Sequence, residues 1–328
     1  MTTPVAYGDL SPRTAAHAVA NMLKRGLPIL VLEKFGQVYT IPTGGSKTAK
    51  WRRYNALPLA TNPLVEGVTP AGSKVTVTDV TATLDQYGDF VPFTDVVLDT
   101  IEDPFLQQLQ MVLGEQAAQT VETLRWNVLK AGTNVQYSNG TQRTDVNTPI
   151  TLAMQRKATR TLKRQNASHF TNIVKSTPNY ATQSVAASFV GVVHVDCEND
   201  IRAMAGFIDP KNYGTTSPWE NEIGSVEDVR YIRSTVFTPF PDAGGAKGAM
   251  LSTTGTLADV YPVLYLSRDA YAIVPLKGKD ALSIAVVNPK PVIGDPLGQK
   301  GTAGWKTMQT CVILNDAWIV RGECAATA

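Results

Sequence analysis

Gly36-Gln37-Val38-Tyr39-Thr40-Ile41-Pro42, then Gly44-Gly45-Ser46-Lys47-Thr48, Trp51-Arg52-Arg53-Tyr54 and Leu57-Pro58-Leu59, returning as Lys74-Val75-Thr76-Val77-Thr78-Asp79-Val80-Thr81-Ala82-Thr83-Leu84, decides how the rest of the chain is read. The return half alternates at period two, the spacing of a strand with one covered face. From Phe35 to Val96 there is too little apolar alternation for the segment to fold back onto a core, so it reads as an arm built to lie on a neighbour. A compact chain of 328 residues has a radius of gyration of about 20 Å, whereas a leg of roughly 25 residues reaches about 80 Å fully extended. Pro42, Pro58, Pro63 and Pro70 shorten that reach. A lone two-stranded ribbon is marginal in water, so other subunits are expected to stabilise it.

Around the arm the chain alternates helices and strands. The first thirty-four residues, with Thr14 to Ala20 weakly helical and Ile29-Leu30-Val31-Leu32 apolar, read as a leading arm or strap. The strongest helix follows Val96. Acids and a proline at Glu102-Asp103-Pro104 suit its positive end, and Phe105, Leu109, Val112 or Leu113, Ala117, Val121, Leu124 and Val128 mark one buried face before Gly132 closes it. A second helix is expected with Thr148 as its cap and Pro149 at its first position. Beyond it lie a buried strand from Phe189 to Val195, a short helix from Glu198 to Met204, a loop around Tyr213 to Trp219, and strands near Val229 to Ile232, Tyr271 to Pro275 and Leu282 to Val287. Met308 to Leu314 and Ala317 to Val320, around Asn315-Asp316, read as a hairpin.

Composition fits an ordinary globular chain, with 43% hydrophobic and 18% charged residues and a net charge of +2. Such a balance carries no strong positive excess of the kind that advertises nucleic-acid binding. No apolar run reaches the length of about 18 residues that a membrane helix needs, and Met1-Thr2-Thr3-Pro4 does not begin a secretion signal. Cys197, Cys311 and Cys324 are odd in number and widely spaced, which suits reduced thiols.

Catalytic patterns are weak. His17, His169 and His194 fall in no triad or zinc-protease spacing, and Asp196, in the run His194 to Asp200, reads as a helix cap rather than a metal ligand. Gly44 to Thr48 resembles a phosphate loop only faintly, because it lies inside a β arm where a strand-to-helix turn is required. Asp95, Asp99, Glu102 and Asp103 read as the acids that precede a helix rather than as an acid/base pair. No cofactor or metal is expected, and the chain does not read as an enzyme. Two surfaces carry more weight. Trp51, Arg52, Arg53 and Tyr54 put two guanidinium groups between two aromatics on an exposed ribbon, the chemistry of an intersubunit contact. Arg156, Lys157, Arg160, Lys163 and Arg164 group on one broad helical side, a solvated face or one that meets phosphates.

The wording of several stretches goes further. Lys50-Trp51-Arg52-Arg53-Tyr54-Asn55-Ala56-Leu57-Pro58-Leu59-Ala60-Thr61, Glu66-Gly67-Val68-Thr69-Pro70, Tyr87 to Asp95, Glu220 to Glu227 and Gly304-Trp305-Lys306-Thr307 resemble a family of tailed-bacteriophage major capsid proteins, from about Leu30 to Val320. The resemblance implies an α+β chain of the Hong Kong 97-type capsid fold. On that expectation residues 1–34 form an N-terminal arm, 35–96 an extended β loop, and 97–185 a peripheral domain with a spine helix over 103–131. Residues 186–285 would then form an axial domain, and 286–328 the return to the peripheral domain. It also implies a virion structural protein, assembled in the host cytoplasm, that self-associates into hexamers and pentamers of an icosahedral shell enclosing double-stranded DNA. Scaffolding, portal and decoration proteins are candidate partners, and no membrane is. Another virion assembly protein, such as a tail-tube or decoration subunit, and a phosphate-handling enzyme are the alternatives. Lys47, Lys50 and Lys74 would be available for the lysine-asparagine cross-links of some such shells, without an identifiable partner.

Overall fold

The computed structural model describes residues 30–42, 44–55, 57–100, 105–171, 186–213, 218–276, 283–291 and 294–328. The expected helical turn at Thr14 to Ala20, the helix opening at Glu102 to Pro104, and most of the loop between Tyr213 and Trp219 lie outside these residues. In chain order the elements are β1 (Gln37–Val38), β2 (Thr48–Tyr54), β3 (Val77–Thr83), β4 (Asp85–Thr94), α1 (Asp95–Thr100), α2 (Phe105–Leu129), β5 (Val135–Tyr137), α3 (Leu152–Arg164), β6 (Phe189–His194), α4 (Glu198–Arg202), β7 (Phe207–Ile208), β8 (Glu222–Val226), β9 (Val229–Ser234), β10 (Tyr261–Leu266), β11 (Tyr271–Pro275), β12 (Ser283–Val287), β13 (Lys300–Ile313) and β14 (Ile319–Cys324).

Near-continuous apolar runs become central strands because they can be covered on both faces. Phe189 to Val193 and Tyr261 to Leu266 are such runs, and both are buried throughout. They sit in the middle of a seven-stranded sheet ordered β5-β14-β10-β6-β9-β8-β7. At Gly191 a Cβ would stand 2.7 Å from the Tyr231 ring, so this crossing of β6 and β9 requires the missing side chain. One face of the sheet packs Phe189, Val193, Tyr231 and Tyr265 under α3, through Met154, Ala158 and Leu162. The other packs Val190, Val192, Leu264 and Leu266 against Trp126 and Leu129 of α2.

A second sheet is ordered β1-β11-β13-β12, with β4 also paired to β13. Its long strand β13 carries ten antiparallel register positions with β4, from Lys300 opposite Thr94 to Gln309 opposite Asp85. The first half of α2 lies on this sheet, where Leu113 and Ala117 meet Phe93, Ala303 and Trp305. Trp305 Nε1 donates to Gln116 Oε1 at 3.0 Å, which fixes the rotation of the helix over the strand. The helix therefore bridges both sheets, one with each half. Its buried face runs through Leu113, Ala117, Val121, Glu122, Arg125, Trp126 and Leu129, while Val112 and Val128 are exposed, so Leu113 takes the position that the spacing left open.

Several local expectations are corrected. The second helix starts at Leu152, capped by Thr151, whose hydroxyl accepts the Met154 N–H; Thr148 instead hydrogen-bonds Ser138 and Asn139, and Pro149 bridges to Ala325. The terminal hairpin does not form. Asn315 does begin a turn, its side chain accepting the Ala317 N–H, but β13 stays in the five-stranded sheet while β14 crosses to the seven-stranded one between β10 and β5. Asp196 is not a cap either: His194 Nδ1 accepts the Asp196 N–H, and Asp196 accepts the Tyr261 hydroxyl at 2.7 Å. The start of the arm is not free. Val31, Leu32, Phe35 and Ile41 are buried, and β1 pairs in parallel with β11.

Candidate assembly surfaces

The arm resolves into a docked base, a short ribbon and an unpaired loop. β2 and β3 pair antiparallel over seven positions, Thr48 with Thr83 through Tyr54 with Val77. Alternation sends Ala49 and Trp51 to one face, where with Ala82, Leu84 and Ile41 they pack against Val274, Leu276, Met308 and Val312 of the five-stranded sheet. Trp51 meets Tyr39 edge-on, ring centroids 5.6 Å apart. Trp51 is thus the inward anchor of the ribbon, half-buried in its own subunit.

Arg52 points the other way and lies directly opposite Asp79. Its Nε donates to Asp79 Oδ1 at 2.9 Å and its Nη2 to Oδ2 at 3.1 Å, with Lys50 Nζ also 2.6 Å from Oδ2. The fork of Arg52, and then Lys50, hold the Asp79 carboxyl well below the usual carboxylate range. Arg52 is therefore engaged within its own ribbon, whereas Arg53 and Tyr54 are exposed at its outer end. Sequence reasoning missed Asp79, because its position opposite Arg52 follows only once the ribbon's register is known. Asn55, whose N–H donates to the Thr76 carbonyl at 2.9 Å, extends the pairing by one position; beyond it the described residues 57–75 form no strand and leave large apolar side chains in water, with Leu59 89% and Leu64 78% exposed.

The basic helix α3 turns Gln155, Ala158 and Leu162 inward and its cations outward. Arg156 Nε donates to both carboxylate oxygens of Glu227 at 3.0 Å, and Lys163 pairs with Asp228, both acids lying on the turn between β8 and β9. Lys157, Arg160 and Arg164 are exposed with no acid partner among the described residues. Helix and turn enclose an open groove of about 460 Å³ lined by Arg156, Arg160, Lys163, Arg164, Glu227 and Asp228. The five basic residues thus share a face, but two are neutralised by acids about seventy positions away that helix periodicity could not reveal.

The context for other chemistry is missing. Gly44 to Thr48 leads into a strand, with Ser46 Oγ accepting the Thr48 N–H at 3.0 Å, and provides no helix N-terminus for a phosphate. Among the described residues no three His, Cys, Asp or Glu side chains are grouped to hold a metal, and no helix is long and apolar enough to cross a membrane. Cys197, Cys311 and Cys324 are free thiols.

Comparison with known proteins accords with this surface-dominated picture. No curated protein sequence matches the chain significantly. The solved capsid of Ralstonia phage GP4 superposes with a TM-score of 0.68 at 13% identity, covering 100% of this chain and 99% of that one. The cyanophage Pam1 capsid gives 0.61 at 12% identity, covering 100% and 99%, and the acid-stable capsid of Helicobacter pylori bacteriophage KHP30 gives 0.59 at 10% identity, covering 97% and 95%. At these identities the likeness establishes a shared capsid fold. The model of the phage capsid protein family matches residues 77–308, from the return strand of the ribbon through most of β13 and well over half of the sequence, and the chain belongs to that family.

Proposed function

We propose that this chain is the major shell subunit of a tailed double-stranded DNA bacteriophage, self-assembling into hexamers and pentamers that enclose the genome. The observation that carries the reading is the loop between β2 and β3, where Leu57, Leu59, Leu64, Val65 and Val68 stand exposed together within twelve residues, while the strands at the centre of the seven-stranded sheet are buried. Apolar surface of this kind gains burial on a second copy, and the subunit then gains stability by association. Each contact can be weak because every subunit both gives and receives an arm. Arg53 and Tyr54, at the outer end of the ribbon, are the side chains placed to reach a neighbour; Trp51 and Arg52 hold the ribbon in shape for them.

On this reading residues 1–34 serve as the N-terminal arm, 35–96 as the extended loop, 97–185 and 286–328 as the peripheral domain, and 186–285 as the axial domain. The chain changes sheet between β10 and β11 and again between β13 and β14, which ties these segments together. Lys157, Arg160 and Arg164 face the packaged DNA, with Arg156 and Lys163 held in place by Glu227 and Asp228. Scaffolding, portal and decoration proteins complete the partners, and assembly takes place in the host cytoplasm.

Expression of the full chain, followed by sedimentation and negative-stain microscopy, tests the reading. Closed shells or capsomer-sized rings are expected from the wild type or from co-expression with a scaffold. Replacement of residues 57–76 by a short turn is expected to leave a folded subunit that forms neither. Assembly that survives this replacement would remove the arm from the mechanism. Charge reversal at Arg160 and Arg164 is expected to lower DNA retention more than shell yield.

A further inference from the structure

Residues Val31 to Phe35 close over the junction of α2 with both sheets, and a fully buried carboxylate lies at the centre of that contact. Glu122 Oε1 accepts the backbone N–H of Val31 at 3.0 Å and of Leu32 at 2.8 Å. Glu122 Oε2 has no hydrogen-bond partner among the described residues, and Arg125 Nη1 stands off from it at 3.9 Å. Arg125 divides its guanidinium between Glu33 Oε2 at 3.2 Å and Gln309 Oε1 at 3.1 Å, leaving its Nε, and Gln309 Nε2, without partners among the described residues. Three of the six unpartnered buried side-chain atoms among the described residues therefore belong to this one hub. Unmatched polar groups weaken a contact they are buried in. A cavity of about 60 Å³ lined by Arg125, Gln309 and Cys311 adjoins it, ample for ordered water.

The groups facing Glu122 come from every element around it: Arg125 on its own helix, Glu33 on the covering segment, Tyr271 on β11, and Gln309 and Cys311 on β13. Burial pushes the Cys311 thiol up to about 12 and the Tyr271 phenol well above its usual value, so both stay protonated near neutrality. Burial likewise raises the Glu122 carboxyl to about 7, against the opposing pull of the two backbone donors and Arg125.

We propose that Glu122 is a proton-controlled catch that fastens residues 31–35 to the body of the subunit when protonated and loosens them when ionised. The protonated acid still offers its carbonyl oxygen to both amides, without a buried charge. An acid with a higher pKa in the closed state binds its proton more tightly there. Closure is therefore favoured at low pH, loses strength as pH rises from the solvated value near 4.5 through 7, and changes no further above that. The remaining anchors of the strap hold it in either state: Phe35 packs edge-on against Trp219 and Phe170, at 5.1 and 5.7 Å, Lys34 pairs with Glu220 at 2.7 Å, and the Tyr271 hydroxyl donates to the Leu32 carbonyl. These anchors reach β11, the loop before β8 and the turn after α3, whereas Glu122 ties the strap to α2, so the catch sets how firmly α2 is joined to a strap the other anchors retain.

Amide exchange at Val31 and Leu32 in the full-length subunit, read from about pH 5.5 to about 8.5 and corrected for intrinsic rates, tests the catch independently of shell assembly. Wild-type protection is expected to fall by roughly 10- to 100-fold across that range. Glu122→Gln keeps the acceptor without the charge, and its protection is expected to stay level. Tyr271→Phe is expected to lower protection by one factor at every pH and to keep the wild-type slope. His169, beside Phe170, has its pKa lowered by burial and titrates in both variants alike. A level wild-type profile, or a slope that persists in Glu122→Gln, would overturn the proposal.

Discussion

The ribbon of β2 and β3 and the pair of β6 and β10 are built from strands of similar length, yet they use their side chains in opposite ways. Every residue of β10 is buried, as is all of β6 except His194, whereas β2 buries only Ala49 and β3 only Ala82. The sheet draws its stability from its own subunit. The ribbon is fastened at its base, stiffened by Arg52 and Asp79, and carries toward its tip the apolar surface that its own subunit does not cover. On the proposed function, stability and assembly are assigned to different residues, and mutations should separate them.

The largest loss is expected at Arg230. Its side chain is 2% exposed, its Nε and Nη2 donate to the fully buried Glu222 at 2.7 and 2.6 Å, and its guanidinium lies 3.8 Å from the centre of the Trp219 ring. Arg230→Ala strands a buried carboxylate and should cost about 3–5 kcal/mol in a urea titration. Leu264→Ala, in the fully buried strand β10, should cost about 2–5 kcal/mol by opening a cavity. Leu59→Ala with Leu64→Ala in the loop should change subunit stability by no more than about 0.5 kcal/mol each, while particle yield drops. Equal stability losses in sheet and loop would abolish the distinction. Arg53→Ala should be the mildest, with an unchanged melting temperature and only reduced assembly, and an unchanged particle yield would remove Arg53 from the interface.

Much of this division was legible in the sequence. The apolar run at Phe189 and the three-four spacing of α2 are local patterns, and each became the element it predicted, whereas the equally apolar run Tyr261 to Leu266, which became β10, went unread. The exposed leucines of the loop could be read from their lack of alternation. What escaped reading was relational. Asn315-Asp316 has sound turn chemistry, but whether the flanking strands pair with each other depends on β4, β10 and β11, all remote in sequence. The partner of Arg52 required a register, and those of Arg156 and Lys163 required the placement of the turn at Glu227-Asp228. Glu122 and Arg125 did leave a trace: two opposite charges three residues apart interrupt the apolar face of α2, and a charged pair on a buried face announces a polar partner elsewhere in the chain.

The ladder between β4 and β13 has a mechanical consequence. β4 continues from β3 through Leu84, so a pull on the arm enters the body along the axis of β4. Its hydrogen bonds to β13 lie across that axis, and the ten register positions are loaded together in shear rather than unzipped one after another. β13 in turn is gripped on its far edge by β12 over one stretch and β11 over the next. Tension applied at the tip of the arm is thus shared between the core contacts of Ala82 and Leu84 at the ribbon's base and the long seam that follows, an arrangement suited to a wall that must hold against pressure from within.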